Sequence, residues 1–220
     1  MPFFYQKYTD VLRDVEIISS NKHKIIPKII AVSKNQPISS ILEAIGFGVR
    51  SFAENKVQEA LIKFSDLKKN YNDLELHMTG SMQTNKVKKS LEIFDYYHTL
   101  DREKLANEFY KHISHSTKFN NKKFFIQVNT GEEYQKSGIS QSSLTEFLLY
   151  CLNDLNLNVI GLMCMPPINE DPKKHFNLTS RLAIQNKLKF LSMGMSADYK
   201  IALACGASHI RLGTILFGKR

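Results

Sequence analysis

The stretch IIPKIIAVSKNQP, residues 25–37, decides the fold. Every residue from Ile29 to Val32 is apolar, which predicts a strand buried on both faces, as in a parallel sheet. Lys34 follows this run almost directly, and Pro37 then marks a turn. The sequence therefore delivers one amine to the end of a buried strand.

Lys34 admits two interpretations from this stretch. Burial disfavours the charged form of a lysine, and a neutral amine is a nucleophile towards aldehydes. The functional interpretation is therefore a lysine that forms a Schiff base. The structural alternative is a lysine whose aliphatic stem lies along the rim of the core while its ammonium group reaches solvent. The stretch alone leaves both open.

Outside this stretch, short apolar runs alternate with helix-length segments that have polar faces. The predicted strands lie at 28–33, 49–54, 75–80, 96–100, 122–130, 158–166, 190–194 and 209–214. The predicted helices lie at 3–19, 37–45, 55–69, 83–94, 101–116, 141–155, 172–187 and 196–205. This alternation predicts an α/β protein, a (β/α)8 TIM barrel that forms one domain over residues 1–220. An open doubly wound sheet is disfavoured, because AVSKNQP lacks the glycine-rich turn of a dinucleotide site.

Composition narrows the function classes. Of 220 residues, 43% are hydrophobic, which is enough for a large core. The net charge is +9, but the lysines, such as Lys63, Lys122 and Lys173, are spread over nearly every segment. This scatter is typical of solvated surfaces and argues against specific nucleic-acid binding. An RNA-associated basic protein is the weakest of the function classes that remain.

The sequence also bears on compartment and metal binding. Lys7 and Asp10 interrupt any signal-peptide core, and no apolar run is long enough to span a bilayer. The cysteines are odd in number and scattered, at Cys151, Cys164 and Cys205, so neither a disulfide framework nor a zinc site is indicated. We therefore expect a cytoplasmic protein that binds no membrane and no metal.

Barrel closure predicts where an anion would bind. The first and eighth strands become neighbours, and phosphate sites of such barrels commonly follow strands seven and eight. Ser196 follows the seventh predicted strand, where it is expected to open a helix, while Gly213 and Thr214, after the eighth, open the last segment. Hydroxyls and free N–H groups at such positions form an anion cradle. With Lys34 one strand away, this arrangement suits pyridoxal 5′-phosphate (PLP), whose aldehyde needs an amine and whose phosphate needs a cradle.

Recognisable motifs run through most of the chain. They are IIAVSKNQP (29–37), FAENKVQEA (52–60), HMTGSMQTNK (77–86), HTLD (98–101), IQVNTGEEYQKSG (126–138), GLMCMP (161–166), LSMGMSAD (191–198) and HIRLGTILFG (209–218). Together they resemble the family of pyridoxal-phosphate homeostasis proteins (the YggS/PROSC type), which are similar to the barrel domain of alanine racemase. The resemblance implies a barrel that binds PLP.

The resemblance also implies roles for single residues. Lys34 would carry the internal aldimine, and Arg211 would face the pyridine nitrogen. The phosphate would be held by Ser196, Gly213 and Thr214. The other motif positions that line the site are Asn55, His77 and Met193. No catalytic residue and no metal ligand is implied.

Two motifs depart from the family pattern. Ala53 and Lys56 stand where glycine and tyrosine are common, and Leu76 stands where tryptophan is common. The chain contains no tryptophan at all. These departures leave open how the ring is packed and what docks over the open face of the site.

The implied function is intracellular PLP homeostasis, in which a non-catalytic protein buffers the vitamin B6 cofactor or delivers it to apo PLP-dependent enzymes. Arg211 favours an unprotonated pyridine nitrogen and so weakens the ring as an electron sink. The alternative is a racemase-like enzyme. Alanine racemase takes a tyrosine base from a second domain across its dimer, and the sequence offers no such domain after Arg220. We therefore expect a monomeric carrier without efficient turnover.

Overall fold

A computed structural model describes residues 2–19, 25–133 and 135–218. Eight parallel strands follow one another around a closed barrel in chain order, and the last strand pairs with the first. This arrangement confirms the predicted (β/α)8 barrel. In the described residues, no helix is long and apolar enough to cross a membrane.

The strands are β1 (Lys28–Val32), β2 (Ser51–Glu54), β3 (Glu75–Met78), β4 (Tyr96–Leu100), β5 (Lys123–Gln127), β6 (Val159–Met163), β7 (Phe190–Ser192) and β8 (His209–Leu212). The α-helices are α1 (Tyr5–Ser19), α2 (Ile38–Gly46), α3 (Val57–Asn70), α4 (Val87–Leu91), α5 (Glu103–Ile113), α6 (Leu144–Leu149), α7 (Pro172–Gln185), α8 (Tyr199–Ala204) and α9 (Thr214–Phe217). Short 3₁₀ turns at Thr84–Lys86 and Thr117–Phe119 and a π-helical segment at Tyr150–Asp154 complete the described elements.

β1 shows how the pattern of residues produces the barrel. Successive side chains of a strand point to opposite faces. Ile29 and Ala31 pack into the large apolar core between the strands and the helices. Lys28 points to the other side, where it pairs with Glu75 of β3. A strand with partners on both faces must be fully covered, which is why its run is almost continuously apolar.

The interior of the barrel is more polar than the layer outside it. Its apolar cluster is small and centres on Tyr96, Phe125 and Met163. The outer core holds most of the buried apolar side chains, for example Phe52 packed against Phe64 of α3 with ring centroids 5.6 Å apart. Packing between strands and helices therefore contributes most of the apolar burial, and the interior is left to carry hydrogen-bonded groups.

Several predicted boundaries are wrong because the turns at the carboxyl end of the barrel are longer than the sequence indicates. Strands end earlier and a helix begins later than predicted. The strands predicted at 75–80 and 209–214 end at Met78 and Leu212, because the following residues leave the ladder to form turns at the carboxyl end of the barrel. The helix predicted at 196–205 begins only at Tyr199, so Ser196 lies in the preceding turn and does not open the helix.

Two lysines that the sequence assigned to solvated surfaces are buried. Lys63 and Lys122 each expose 8% of their surface. Lys122 Nζ donates to the backbone oxygen of Phe94 at 2.7 Å, and Lys63 is held by carboxylates and a carbonyl described below. Local charge patterning indicates only the contact of Lys63 with Glu59, because the backbone oxygens of Ser33 and Phe94 lie 30 and 28 positions away along the chain.

Candidate functional site

The candidate site lies at the carboxyl end of the barrel, where the turn after β8, which contains Gly213, lies beside the end of β1. β1 and β8 pair so that Ala31 lies opposite Leu212. A Cβ placed on Gly213 would lie 3.5 Å from Cβ of Val32. The turn after β8 is therefore in contact with the end of β1, and half-buried Lys34 lies two residues beyond that contact.

The backbone on both sides of Lys34 is anchored. The carbonyl oxygen of Ser33 accepts a hydrogen bond from Lys63 Nζ at 2.8 Å. The N–H group of Asn35 donates to Glu59 Oε1 at 2.5 Å, and Asn35 has φ of 60°, in the left-handed region. Glu59 and Lys63 also pair with each other at 2.6 Å on α3. This helix therefore fixes the direction in which Lys34 leaves the strand.

Glu54 completes this support beneath the lysine. Its side chain is fully buried, and Oε1 accepts from the Ser33 hydroxyl at 2.7 Å and from Lys63 Nζ at 3.1 Å. Burial raises the pKa of Glu54, although the bonds from Ser33 and Lys63 act in the opposite direction. Lys63 Nζ thus donates to two carboxylates and a carbonyl, so no N–H group of its ammonium remains for a ligand.

The turns after β7 and β8 form one surface around Ser196 and Thr214. Ser196 Oγ accepts a hydrogen bond from the N–H of Ile215 at 3.2 Å, which ties the two turns together. Among the described residues, the N–H groups of Ser196 and Thr214 have no acceptor. Gly194 has φ of +92°, and a Cβ there would lie 2.5 Å from Ala202 Cβ, so this turn requires glycine. These donors and hydroxyls fit a phosphate group.

Arg211 is buried inside the barrel, with 5% of its surface exposed. Its guanidinium donates to Ser192 Oγ at 2.6 Å and to the carbonyl oxygen of Cys164 at 3.1 Å. Burial lowers the pKa of Arg211, but an arginine stays charged because its ordinary pKa is so high. Other N–H groups of the guanidinium remain for a ligand.

A chain of buried hydrogen bonds continues from Arg211 into the barrel. Ser192 Oγ lies 2.7 Å from His98 Nδ1, and His98 Nε2 lies 2.9 Å from His77 Nδ1. Since Ser192 Oγ accepts a hydrogen bond from Arg211, we infer that its own hydroxyl proton is donated to His98 Nδ1. His98 then donates to His77, whose Nε2 is buried without a partner among the described residues. Burial places the pKa values of both histidines well below the ordinary range, so both are neutral.

The other three residues that the motifs place around the site lie in different environments. Asn55 is half-buried after β2, and its Oδ1 is buried without a partner in the described part of the chain. A ligand hydroxyl would satisfy this atom. His77 instead stacks on Tyr96, with ring centroids 4.3 Å apart, so it reaches Arg211 only through His98. Met193 is fully buried in the outer core.

A cavity of about 330 Å³ opens at the same end of the barrel, over β3 to β6. Its described lining includes Thr79, Thr99, Gln127, Asn129 and Lys136, and it contains no carboxylate, histidine or tyrosine. A larger cavity of about 1030 Å³ lies elsewhere, between the end of α5 and the loop before β6. The described lining of neither cavity includes any of the implied cofactor residues.

The residues that depart from the family pattern lie in three settings. Ala53 is buried, and Leu76 packs in the outer core. Lys56 is exposed at the start of α3 and lines a separate cavity of about 460 Å³ with Asn55 and Gly80. Lys56 is therefore the departure that borders the open face.

Sequence reasoning did not single out Glu54, Glu59, Lys63, Ser192 or His98. The spacing of Glu59 and Lys63 is that of an ion pair within a helix and could have indicated their contact. Nothing in the sequence indicates that this pair also reaches the turn at Lys34. The link from His98 to Ser192 joins residues 94 positions apart and depends on barrel closure.

Comparisons with known proteins identify the family to which the chain belongs. The alanine racemase N-terminal domain family model matches residues 14–220. A pyridoxal phosphate homeostasis protein from Aquifex aeolicus is 37% identical over 202 residues, which cover 88% of this chain and 87% of the relative. The protein of the same name from Escherichia coli (strain K12) is 33% identical over 209 residues, covering 87% and 85% of the two chains. These matches confirm the resemblance seen in the motifs.

Solved structures support the same fold. PipY of Synechococcus elongatus, solved with PLP bound, has a TM-score of 0.80 and 30% identity, and the match covers 97% of this chain and 99% of that one. Alanine racemase from Acinetobacter baumannii has a TM-score of 0.72 but 13% identity, and the match covers 99% of this chain and 63% of the racemase. The racemase likeness is therefore one of fold.

Proposed function

Because this chain belongs to the alanine racemase N-terminal domain family, and within it to the pyridoxal phosphate homeostasis proteins, we propose that it binds PLP and buffers or delivers the cofactor. The observation that carries the proposal is the position of Lys34. Its backbone is anchored on both sides, and the turns that bear Ser196 and Thr214 lie beside it. We further propose that residues 1–220 form one PLP-binding domain.

We assign the binding roles as the motifs imply. Lys34 Nζ forms the covalent link to the cofactor, and Arg211 donates to the pyridine nitrogen. Ser196, Gly213 and Thr214 hold the phosphate. The assigned lining residues are Asn55, His77 and Met193. For His77 and Met193, the support is their motif position alone, since one acts through His98 and the other packs in the outer core.

The site favours holding a cofactor over turning over a substrate. PLP supplies an electron sink when its pyridine nitrogen is protonated. Arg211 can only donate at this position and so opposes that protonation. Racemisation needs an acid or base on each face of the substrate. Lys34 offers one. Among the other assigned residues, only His77 has a side chain of the kind that exchanges protons at neutral pH, and it is buried and connected to Arg211 only through His98 and Ser192.

The test of this function compares binding with turnover. We expect purified protein loaded with PLP to return the cofactor to an apo-enzyme, and to produce neither stereoisomers nor keto acids from a panel of L- and D-amino acids. Chiral chromatography and an apo-enzyme reactivation assay measure the two properties on one preparation. Turnover at about 1 per second or faster would replace the carrier proposal with the racemase-like alternative.

The phosphate assignment predicts a loss of affinity in Thr214→Ala. Hydrogen bonds to a charged group contribute roughly 1.5 to 3 kcal/mol, so the variant should bind PLP about tenfold more weakly or worse. Equilibrium dialysis against PLP and against pyridoxal measures this effect. Thr117→Ala, at an exposed threonine in the turn before β5, is the matched control. Equal affinity of the wild-type protein for PLP and pyridoxal would contradict the assignment.

Partners and location complete the proposal. We propose that apo PLP-dependent enzymes receive the cofactor, that the protein is a monomer, and that it binds neither specific nucleic acid nor a membrane. The scattered, odd number of cysteines supports a reducing compartment, the cytoplasm. Size-exclusion chromatography with light scattering, with and without an apo-enzyme, tests the first two points.

A further inference from the structure

A second polar cluster lies at the opposite, amino-terminal end of the barrel. Glu75 is its only described carboxylate, and both of its oxygens are in use. Oε2 accepts from Lys28 and from the Ser51 hydroxyl, and Oε1 accepts from the Tyr96 hydroxyl at 3.0 Å. Burial raises the pKa of Glu75, but the bonds from Lys28, Tyr96 and Ser51 outweigh it and lower the pKa overall. Glu75 is therefore ionised, and both of its oxygens are hydrogen-bonded to neighbouring side chains.

Lys123 is the unbalanced member of this cluster. Its ammonium donates to the Tyr96 hydroxyl at 2.9 Å and lies 4.7 Å from the centre of that ring. Among the described residues, no carboxylate forms a salt bridge with it. The hydroxyl is neutral and already donates its proton to Glu75. Two ammonium groups, of Lys28 and Lys123, therefore share one carboxylate, and a half-buried positive charge is left over.

A cavity of about 260 Å³ opens directly onto Lys123. One part of its wall is apolar and includes Ile26, Ile160 and Phe190. His209 forms part of the polar wall, and burial lowers its pKa to about 3, so the ring carries no charge at neutral pH. Lys28 also lines the cavity, but it is paired with Glu75. The cavity therefore joins one excess positive charge to an apolar surface.

We propose that this amino-terminal cavity binds a small organic monocarboxylate, whose carboxylate pairs with Lys123 and whose apolar body lies against Ile160 and Phe190. A single negative charge matches the single excess cation, and pairing a half-buried cation stabilises it. The apolar wall favours an organic anion over a bare inorganic one. The cavity is smaller than the roughly 300 to 1,000 Å³ of sites for drug-sized ligands, so the ligand must be small.

Ile26 supports a binding role for this surface. This apolar residue exposes 86% of its surface where it lines the cavity. An exposed apolar side chain alone is common. Ile26, however, lies beside the cavity that Lys123 lines, where it extends the apolar wall towards an entering ligand.

Benzoate is the probe for this proposal, with benzamide as its neutral counterpart and inorganic phosphate as an anion without an apolar body. Full-length protein loaded with PLP is titrated, so that the carboxyl end of the barrel is already filled. We expect benzoate to bind at least about tenfold more tightly than benzamide or phosphate. Amide chemical shifts should change at Lys123 and His209 and stay constant at Gly213. Equal affinity for benzoate and benzamide, or shifts confined to Gly213, would overturn the proposal.

Two pairs of variants test the charge. Lys123→Gln should weaken benzoate binding about tenfold or more, whereas Lys104→Gln, at an exposed lysine on α5, should not. Ile26→Glu and Ile26→Gln keep the test decisive if Lys123→Gln does not fold, because this exposed position tolerates polar residues. The added carboxylate should weaken binding relative to glutamine by Coulomb repulsion. Unchanged benzoate affinity in Ile26→Glu would refute the site.

Discussion

Replacing Lys34 with alanine is expected to abolish covalent attachment of PLP, and with it the visible absorption band of the linked cofactor. The expected loss is complete, because no other described lysine at this end of the barrel both adjoins the phosphate turns and has an ammonium group without a structural partner. Lys63 is committed to Ser33, Glu54 and Glu59. Weak noncovalent binding through the phosphate turns should persist, since Ser196 and Thr214 are untouched.

The assignment is checked by reduction with borohydride followed by peptide mapping, alongside the absorption spectrum. Lys56→Ala is the matched control, because Lys56 is an exposed lysine that borders the open face without adjoining the phosphate turns. It should keep the band. Recovery of the reduced cofactor on Lys56 or Lys136 in the wild-type protein would show that Lys34 is not the attachment site.

Acid is expected to destabilise the protein well above the pH at which its carboxylates titrate. His77, His98 and His209 are buried, and burial holds the pKa of each below its ordinary value, to about 3 for His209. A histidine whose pKa is lowered by folding takes up its proton more readily when the chain is unfolded. Stability is therefore complete above about pH 6.5, the unfolded value, and is lost as the pH falls towards the folded values.

The expected size of this loss is large. Each buried histidine contributes at most about 1.4 kcal/mol per pH unit well below pH 6.5, so three contribute at most about 4 kcal/mol per unit. The raised pKa of Glu54 acts in the opposite direction, because the folded protein then takes up that proton first, and it offsets up to about one histidine. Single domains have total stabilities of roughly 5 to 15 kcal/mol, so a fall from pH 6.5 to 5 should remove a substantial part.

Urea unfolding at pH 7, 6 and 5 measures the slope directly. His209→Gln should reduce the slope by about 1.4 kcal/mol per pH unit, since one titrating group is removed. The matched control is His115→Gln, which removes an exposed histidine and should leave the slope unchanged. If the free energy of unfolding is constant between pH 7 and 5, the buried histidines are not held neutral as the structure indicates.

The sequence by itself determined the architecture, and it predicted the amine that we assign to the cofactor. Short continuous apolar runs at Ile29–Val32 and in later strands favour strands buried on both faces, and their alternation with helices predicts the barrel. Strand order then places the turns after β7 and β8 beside β1, so Lys34, Ser196, Gly213 and Thr214 could be predicted together as one candidate site. These inferences use local pattern and chain order, which are fully present in the sequence.

Only the tertiary structure decided what surrounds these residues. Glu59 and Lys63 reach the turn at Lys34 across 24 and 30 positions of the chain, and His98 reaches Ser192 across 94. The unpaired charge of Lys123 likewise depends on Glu75 being already occupied by residues of other strands. Barrel closure turns alternate side chains of all the strands towards one axis, so contacts there join distant residues. Hydrogen bonds and ion pairs depend on distances between atoms, and a local sequence pattern does not give those distances for residues far apart in the chain.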